Sequence, residues 1–184
     1  MKARELGLEL DGPALNHVVG QLKELEHKGY HFEAADGSLE LLMRQAGGWE
    51  QPFFRLESFR VLVDHTASGD FTTEATIKLW IDDERIIATG EGNGPVNALD
   101  TALRSAIGER YPGLAHLHLT DYKVRVLDTA KGTGAITRVL IDSTDGERSW
   151  STIGVSENII EASWQALVDS IAFGLLKAQP PHPS

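Results

Sequence analysis

The sequence predicts an α+β fold: two pseudo-symmetric βββα units, each a three-stranded antiparallel sheet followed by one helix, preceded by a short helical subdomain. Three observations predict it. Apolar and polar residues alternate around Phe59-Arg60-Val61 and again around Tyr122-Lys123-Val124, the period of a half-buried strand. In both halves two hairpin signals follow the alternating strand in the same order. A glycine-containing turn then opens an amphipathic helix, with Ala98 and Leu103 in one half matching Ala162 and Leu167 in the other. Two helices of this type can match by chance, but strand, hairpin, hairpin, turn and helix in one order rarely do.

Residues 1–48 read as a helical linker. Leu15, Val18, Leu22 and Leu25 recur at helical spacing, and Gly29 stands where a left-handed residue ends a helix. A second short helix covers residues 35–44, with Asp36 or Ser38 as its cap and Leu39, Leu42 and Met43 as its apolar side. Two short helices cannot bury a core alone and need something to pack on.

Residues 53–178 form the second expected domain. In its first unit, Phe59, Val61 and Val63 make one strand and Ser68-Gly69-Asp70 a turn. Ala75, Ile77, Leu79 and Ile81 make the next strand, Asp82-Asp83 a hairpin, and Arg85–Thr89 the return. A helix from about 95 to 109 carries Val96, Leu99, Leu103, Ala106 and Ile107 on one face and stops before Tyr111-Pro112-Gly113. In the second unit, Tyr122, Val124 and Val126 alternate, and Gly132-Thr133-Gly134 turns into Ala135–Ile141. Asp145-Gly146 returns Arg148–Ile153, and the last helix shows Ile160, Trp164, Leu167, Ile171 and Leu175 on one face before Pro180-Pro181-His182-Pro183. Each sheet buries one face on its own helix and leaves the rest unpartnered. Pairing of the units about a local two-fold is expected to bring both strand-to-helix turns to a shared seam, and a second copy of the chain to cover the remaining edges as a homodimer.

Composition narrows the function classes. At 41% hydrophobic and 24% charged residues the chain is an ordinary globular protein. A formal charge of -10 argues against nucleic acid and anionic membrane surfaces, both of which call for a basic face. With no cysteine there is no disulfide, thiolate metal site or thiol nucleophile. No apolar run approaches a membrane span and no signal peptide is evident, so a cytoplasmic location is expected.

Catalytic patterns are sparse. The seven histidines are scattered, and His116-Leu117-His118 has a spacing that suits two metal ligands on one strand face, although a solvated loop explains it better. There is no nucleophile elbow, no P-loop and no G-x-G-x-x-G. The turn Gly90-Glu91-Gly92-Asn93-Gly94-Pro95-Val96 is more informative. Its glycines are expected to admit positive φ or close approach, and Pro95 suits a first helical turn. Free amides at Gly92–Val96 would suit a carboxylate. Asp100 or Asp121 would take an ammonium group, and Val96, Leu99, Tyr122 and Val126 would enclose an apolar side chain. Core packing is the competing explanation for each apolar residue, and an i,i+4 pair with Arg104 for Asp100.

Gly92-Asn93-Gly94-Pro95-Val96-Asn97-Ala98 with Asp121-Tyr122, and later Gly154-Val155-Ser156-Glu157-Asn158-Ile159-Ile160-Glu161-Ala162-Ser163, resemble the C-terminal regulatory domain of the 2-isopropylmalate synthase and citramalate synthase family. The stretches Leu22–Gly29 and Tyr30–Leu42 resemble its linker helices. Gly29-Tyr30-His31-Phe32-Glu33 and the run from Phe53 to Val61 look closer to the citramalate synthase branch.

The resemblance implies more than spacing does. Family members condense acetyl-CoA with a 2-oxo acid on a metal-dependent TIM barrel, and the βββα pair binds an end-product amino acid. That effector is usually isoleucine in citramalate synthases, which use pyruvate, and leucine in isopropylmalate synthases. A barrel needs about 250 residues, so this chain has no room for one and none of the barrel's divalent metal site. The implied partners are a branched-chain amino acid, a second copy of the chain and the catalytic barrel of the parent enzyme. The implied cofactor on this chain is none. Carried over by position, the effector contacts fall on Gly92, Asn93, Gly94, Pro95, Val96, Leu99, Asp100, Tyr122 and Val126. Asn97 departs from the many relatives that carry Asp there. The expectation is the linker and allosteric part of a citramalate synthase-like enzyme, inactive alone. The alternatives are a leucine-binding domain of a 2-isopropylmalate synthase, a stand-alone amino-acid sensor or dimerisation module, and a small hydrolase or metal enzyme using His116 and His118.

Overall fold

A computed structural model describes residues 12–127 and 134–178. It divides into two compact units: Pro52–Ala115, and the chain up to Gln51 together with the chain from His116 onward. Gly132-Thr133 of the expected turn and the Pro180–Pro183 stop lie outside the described residues.

In the first of these units, β1 (Arg55–His65), β2 (Phe71–Ile81) and β3 (Glu84–Gly92) form an antiparallel sheet in the order β1-β2-β3. The turns expected from their residues are present, with Gly69 at φ 89 and Asp82 at φ 51. Thr73, Ala75, Ile77, Leu79 and Ile81 alternate to one face and are buried. The sheet is followed by helix α3 (Pro95–Ile107), the third α-helix among the described residues. It lays Ala98, Leu99, Ala102, Leu103, Ala106 and Ile107 on that face. The amide of Gly108 closes the helix on Arg104 O at 2.9 Å. Tyr111 then donates its hydroxyl to Phe53 O at 2.8 Å and sets its ring edge-on against Phe53 at 5.5 Å. These two residues tie the end of the unit to its beginning.

The larger unit repeats the plan and adds to it. Strands β4 (His118–Leu127), β5 (Ile136–Thr144) and β6 (Ser149–Ser156) form the sheet, and α4 (Ile159–Ala178) covers it. Thr137, Val139, Ile141 and Ser143 of β5 are buried on the helix side. Ahead of this repeat come α1 (Gly12–His27), a short 3-10 turn at Phe32–Ala34 and α2 (Asp36–Ala46). Gly29 has φ 105, as expected where α1 ends. Val18, Phe32, Ala35, Leu39 and Met43 form a core with Ile153 of β6. The two short helices thus find their apolar partner in the second repeat. Leu41, which the helical periodicity passed over, is buried as well.

The repeats agree in detail. The β1–β2 register slips between Leu56 and Ser58, and the β4–β5 register slips at the matching place, between Leu119 and Asp121. A bulge bends a strand and re-aims one side chain.

Two local expectations need correction. Gly90 and Gly92 belong to β3, paired with Ala75 and Thr73, and neither they nor Gly94 takes positive φ. They are needed for close approach: a Cβ on Gly90 would lie 2.8 Å from Ala98 O and collide with Ala102 N. Gly154 does the same in the second repeat, where a Cβ would collide with Ala162 O. The alanines on each helix let it sit against the strand at a glycine. The other correction concerns α4. By length and composition it is apolar enough to cross a membrane, with a window of mean hydropathy 1.3, but 61% of that window is buried in the protein. It packs on β5 and β6 and against α2, which demands apolar residues on more than one side.

Candidate functional site

The turn from β3 into α3 is short, only Asn93 and Gly94 lying between them. Asn97 shapes it, because its Oδ1 accepts the Asn93 amide at 3.3 Å, and a Cβ on Gly92 would lie 2.5 Å from that same oxygen. Gly94 is extended at φ -178, and no side chain caps the first turn of α3. The first amides of a helix have no partner within it and carry the positive end of its dipole. Gly92, Gly94, Pro95 and Val96 are half-buried around this start, and Asn93 is exposed.

Other expected contacts have clear packing roles. Leu99 is completely buried in the core beneath the sheet. Asp100 receives Arg104 Nε at 2.9 Å on each carboxylate oxygen, and Arg104 reaches on to Leu114 O at 3.0 Å. Tyr122 and Val126 lie on β4 of the larger unit, 39% and 51% exposed. They share the α4 side of the sheet with Val124, but the helix does not reach far enough to cover this edge strand. The Tyr122 hydroxyl reaches α4, at 2.8 Å from Ser163 Oγ. Asp121 bonds Lys123 Nζ at 2.6 Å and accepts the Tyr122 amide, which together hold its carboxyl below the usual range. In the smaller unit, Glu57 stands at the β1 bulge and takes Arg85 on both oxygens, at 2.7 and 2.8 Å, and Trp80 Nε1 at 3.0 Å. These donors lower its carboxyl to about 2.

The helical segment supplies polar contacts the sequence did not announce. Asp36 and Ser38 were expected to cap α2, yet Ala35 holds that position without a side-chain bond. Asp36 Oδ1 instead accepts the Ser151 amide of β6 at 2.8 Å. Ser38 Oγ accepts the Ile153 amide at 3.0 Å and donates to Asp169 Oδ2 at 2.6 Å. Buried Glu40 receives Arg44 and Lys177, both at 2.7 Å. Burial pushes the Asp169 carboxyl up to about 6, which the Ser38 bond only partly offsets. Asp36 and Ser38 stood out as polar residues at the start of α2, but their partners on β6 and α4 lie in distant parts of the chain.

His116 ends a 3-10 turn and His118 begins β4, and both are exposed. Among the described residues, no group of three or more His, Asp or Glu side chains is placed to hold a metal ion.

The family model described as the LeuA allosteric (dimerisation) domain matches residues 33–175, which include the end of the helical segment, both sheets and nearly all of α4. The chain belongs to this family. Among proteins similar to this LeuA-type domain is an (R)-citramalate synthase of Streptomyces coelicolor, 51% identical over 97% of this chain and 34% of that one. Another, from Aquifex aeolicus, is 48% identical over 96% of this chain and 34% of its own length. A 2-isopropylmalate synthase of Shewanella woodyi is 31% identical over 80% of this chain and 26% of that one. The chain therefore spans about a third of the length of the curated synthases it matches. Of these relatives, the two citramalate synthases are more similar to this chain than the 2-isopropylmalate synthase is, in line with the expected branch.

Proposed function

We propose that this chain is the allosteric and dimerisation region of a citramalate synthase-like enzyme, binding isoleucine for feedback inhibition of acetyl-CoA and pyruvate condensation. The observation that carries the reading is the relation to (R)-citramalate synthases over nearly the whole chain. The start of α3 supports the effector site. Its uncapped amides suit a carboxylate, and half-buried Val96 offers apolar surface beside them. Asp100 already spends both oxygens on Arg104, so an ammonium group there would have to share the carboxylate. The apolar rows on the two edge strands, half-buried Phe59 and Val61 with exposed Val63 on one and exposed Tyr122, Val124 and Val126 on the other, support a homodimer. The catalytic barrel and its metal belong to the parent enzyme, in the cytoplasm.

Calorimetric titration of the full chain with isoleucine, leucine and valine tests this. Isoleucine is expected to bind tightest, and a hundredfold excess over its Kd stabilises the fold by about 2.7 kcal/mol. A Cβ on Gly94 meets nothing within 4 Å, so Gly94→Val should fold normally while losing the isoleucine heat. Tighter leucine binding would favour the isopropylmalate branch. No heat with any of the three would overturn the effector reading and leave dimerisation, which sedimentation reads separately.

A further inference from the structure

A cavity of about 370 Å³ lies wholly within the larger unit, where the helical segment meets α4. Its lining is unlike that of the α3 turn. Tyr30 and Phe32 stack at 5.5 Å and, with Leu42 and Trp164, give it an aromatic and aliphatic wall. Two carboxylates line it, Glu161 and Asp169, and among the described residues no Lys, Arg or His does.

The polar groups around the cavity are nearly all engaged with one another. Gln165 Oε1 accepts the Tyr30 hydroxyl at 3.0 Å and the Val155 amide at 3.1 Å, and its Nε2 reaches Glu161 at 3.3 Å. Asp169 accepts Ser38 Oγ on Oδ2. Asp169 lines the cavity, and among the described residues no hydrogen bond reaches its Oδ1; since no fully buried side-chain oxygen lacks a partner, Oδ1 keeps accessible surface. The Tyr30 phenol is raised by burial first and then by the charge of Asp169, a sign that the local field is negative. A half-buried carboxylate with no countercharge is costly, and a bound cation relieves that cost. Aromatic faces add further attraction for an ammonium group.

We propose that this cavity binds a primary ammonium group carried on a short apolar stem, with the nitrogen on Asp169 Oδ1 and the stem against Phe32, Leu42 and Trp164. The site shares no residue with the effector turn and does not depend on that reading. Its volume suits a small molecule of several heavy atoms. A carboxylate on the ligand would face Asp169 and Glu161 with no cation in the lining to receive it, so the site discriminates by charge.

Titration of the full chain at pH 7.5 with 3-methylbutylammonium, and separately with 4-methylpentanoate, tests the assignment. The amine should give saturable heat in the millimolar range or tighter, and the acid of similar stem none. Asp169→Asn keeps an acceptor for Ser38 and should weaken the amine tenfold or more. Leu42→Trp fills the cavity from another wall and should abolish amine binding, which keeps the test open if Asp169→Asn fails to fold. Gly94→Val should leave the amine unaffected, separating this site from the isoleucine site. Absence of saturable amine heat, equal binding by Asp169→Asn, or acid binding as tight as the amine would each overturn the proposal.

Discussion

The two βββα repeats share a frame and differ in what surrounds each helix. Gly90 and Gly154 meet their helices in the same way, and the strand bulges fall at matching positions. Helix α3 spans 13 residues and carries Asn97, Thr101 and Asp100 away from its sheet, whereas α4 spans 20 and is buried on more than one side. The cause is α2, which packs on α4 and β6 in the larger unit. Their starts differ too. Asn158 caps α4 by accepting the amides of Ile160 at 2.8 Å and Glu161 at 3.3 Å, while Gly94 leaves α3 without a side-chain cap. Duplication preserved the contacts that make a sheet and helix fit, and released the surfaces and helix ends that those contacts do not use.

The largest test breaks what the repeats share. Gly90→Ala and Gly154→Ala each drive a methyl into helix backbone, which cannot move as a flexible side chain would. Each should cost about 3 kcal/mol, read as a fall in denaturant midpoint. A loss below about 1 kcal/mol at either position would mean that the helix slides freely and that the close approach is incidental.

Acid should separate the units next. Asp169 in the larger unit titrates near 6 against an ordinary 3.8. Between those values the folded form binds more protons than the unfolded one, so this group's contribution to stability falls as pH rises through the window. Asp169→Asn should remove that slope and raise the stability at pH 7 by on the order of 2 kcal/mol, read as a higher denaturant midpoint. Glu57 in the smaller unit has the opposite sign. Its carboxyl is lowered to about 2 from 4.5, so its contribution is lost as pH falls through that range. Denaturant titrations from pH 2 to 8 on the parent, Asp169→Asn and Glu57→Gln read both slopes.

The smallest effects sharpen the contrast between helix starts. Asn158→Ala should destabilise by about 1 kcal/mol through loss of the cap. Gly94→Asp should stabilise by about 0.3 kcal/mol, since it adds the missing cap, while displacing any carboxylate bound at the α3 start. Melting curves with and without isoleucine measure both; a Gly94→Asp protein that still shows the full isoleucine shift would move the effector elsewhere.

The order of strands, hairpins and helices was legible in the sequence because strand alternation, turn residues and helical spacing are local signals. The same holds for Gly29, Gly69 and Gly146, whose positive φ follows from where a helix or hairpin must turn. Other features depend on residues far apart in the chain. Gly90 and Gly92 read as a turn, yet they serve in a strand because the Cβ they lack would strike α3. Asp36 and Ser38 read as caps, yet they bond to β6 because α2 docks beside that strand's amides, Asp36 at the exposed rim and Ser38 buried. Asp169 carries no local sign of its raised carboxyl, which arises only when α2 and the cavity walls bury it, against the opposing bond from Ser38. Sequence alone determined the repeated βββα pattern, since hydrophobic period and backbone preference act over a few residues. Tertiary structure decided which polar groups are buried and which helix starts stay open, because desolvation and steric contact are set by neighbours that only folding brings near.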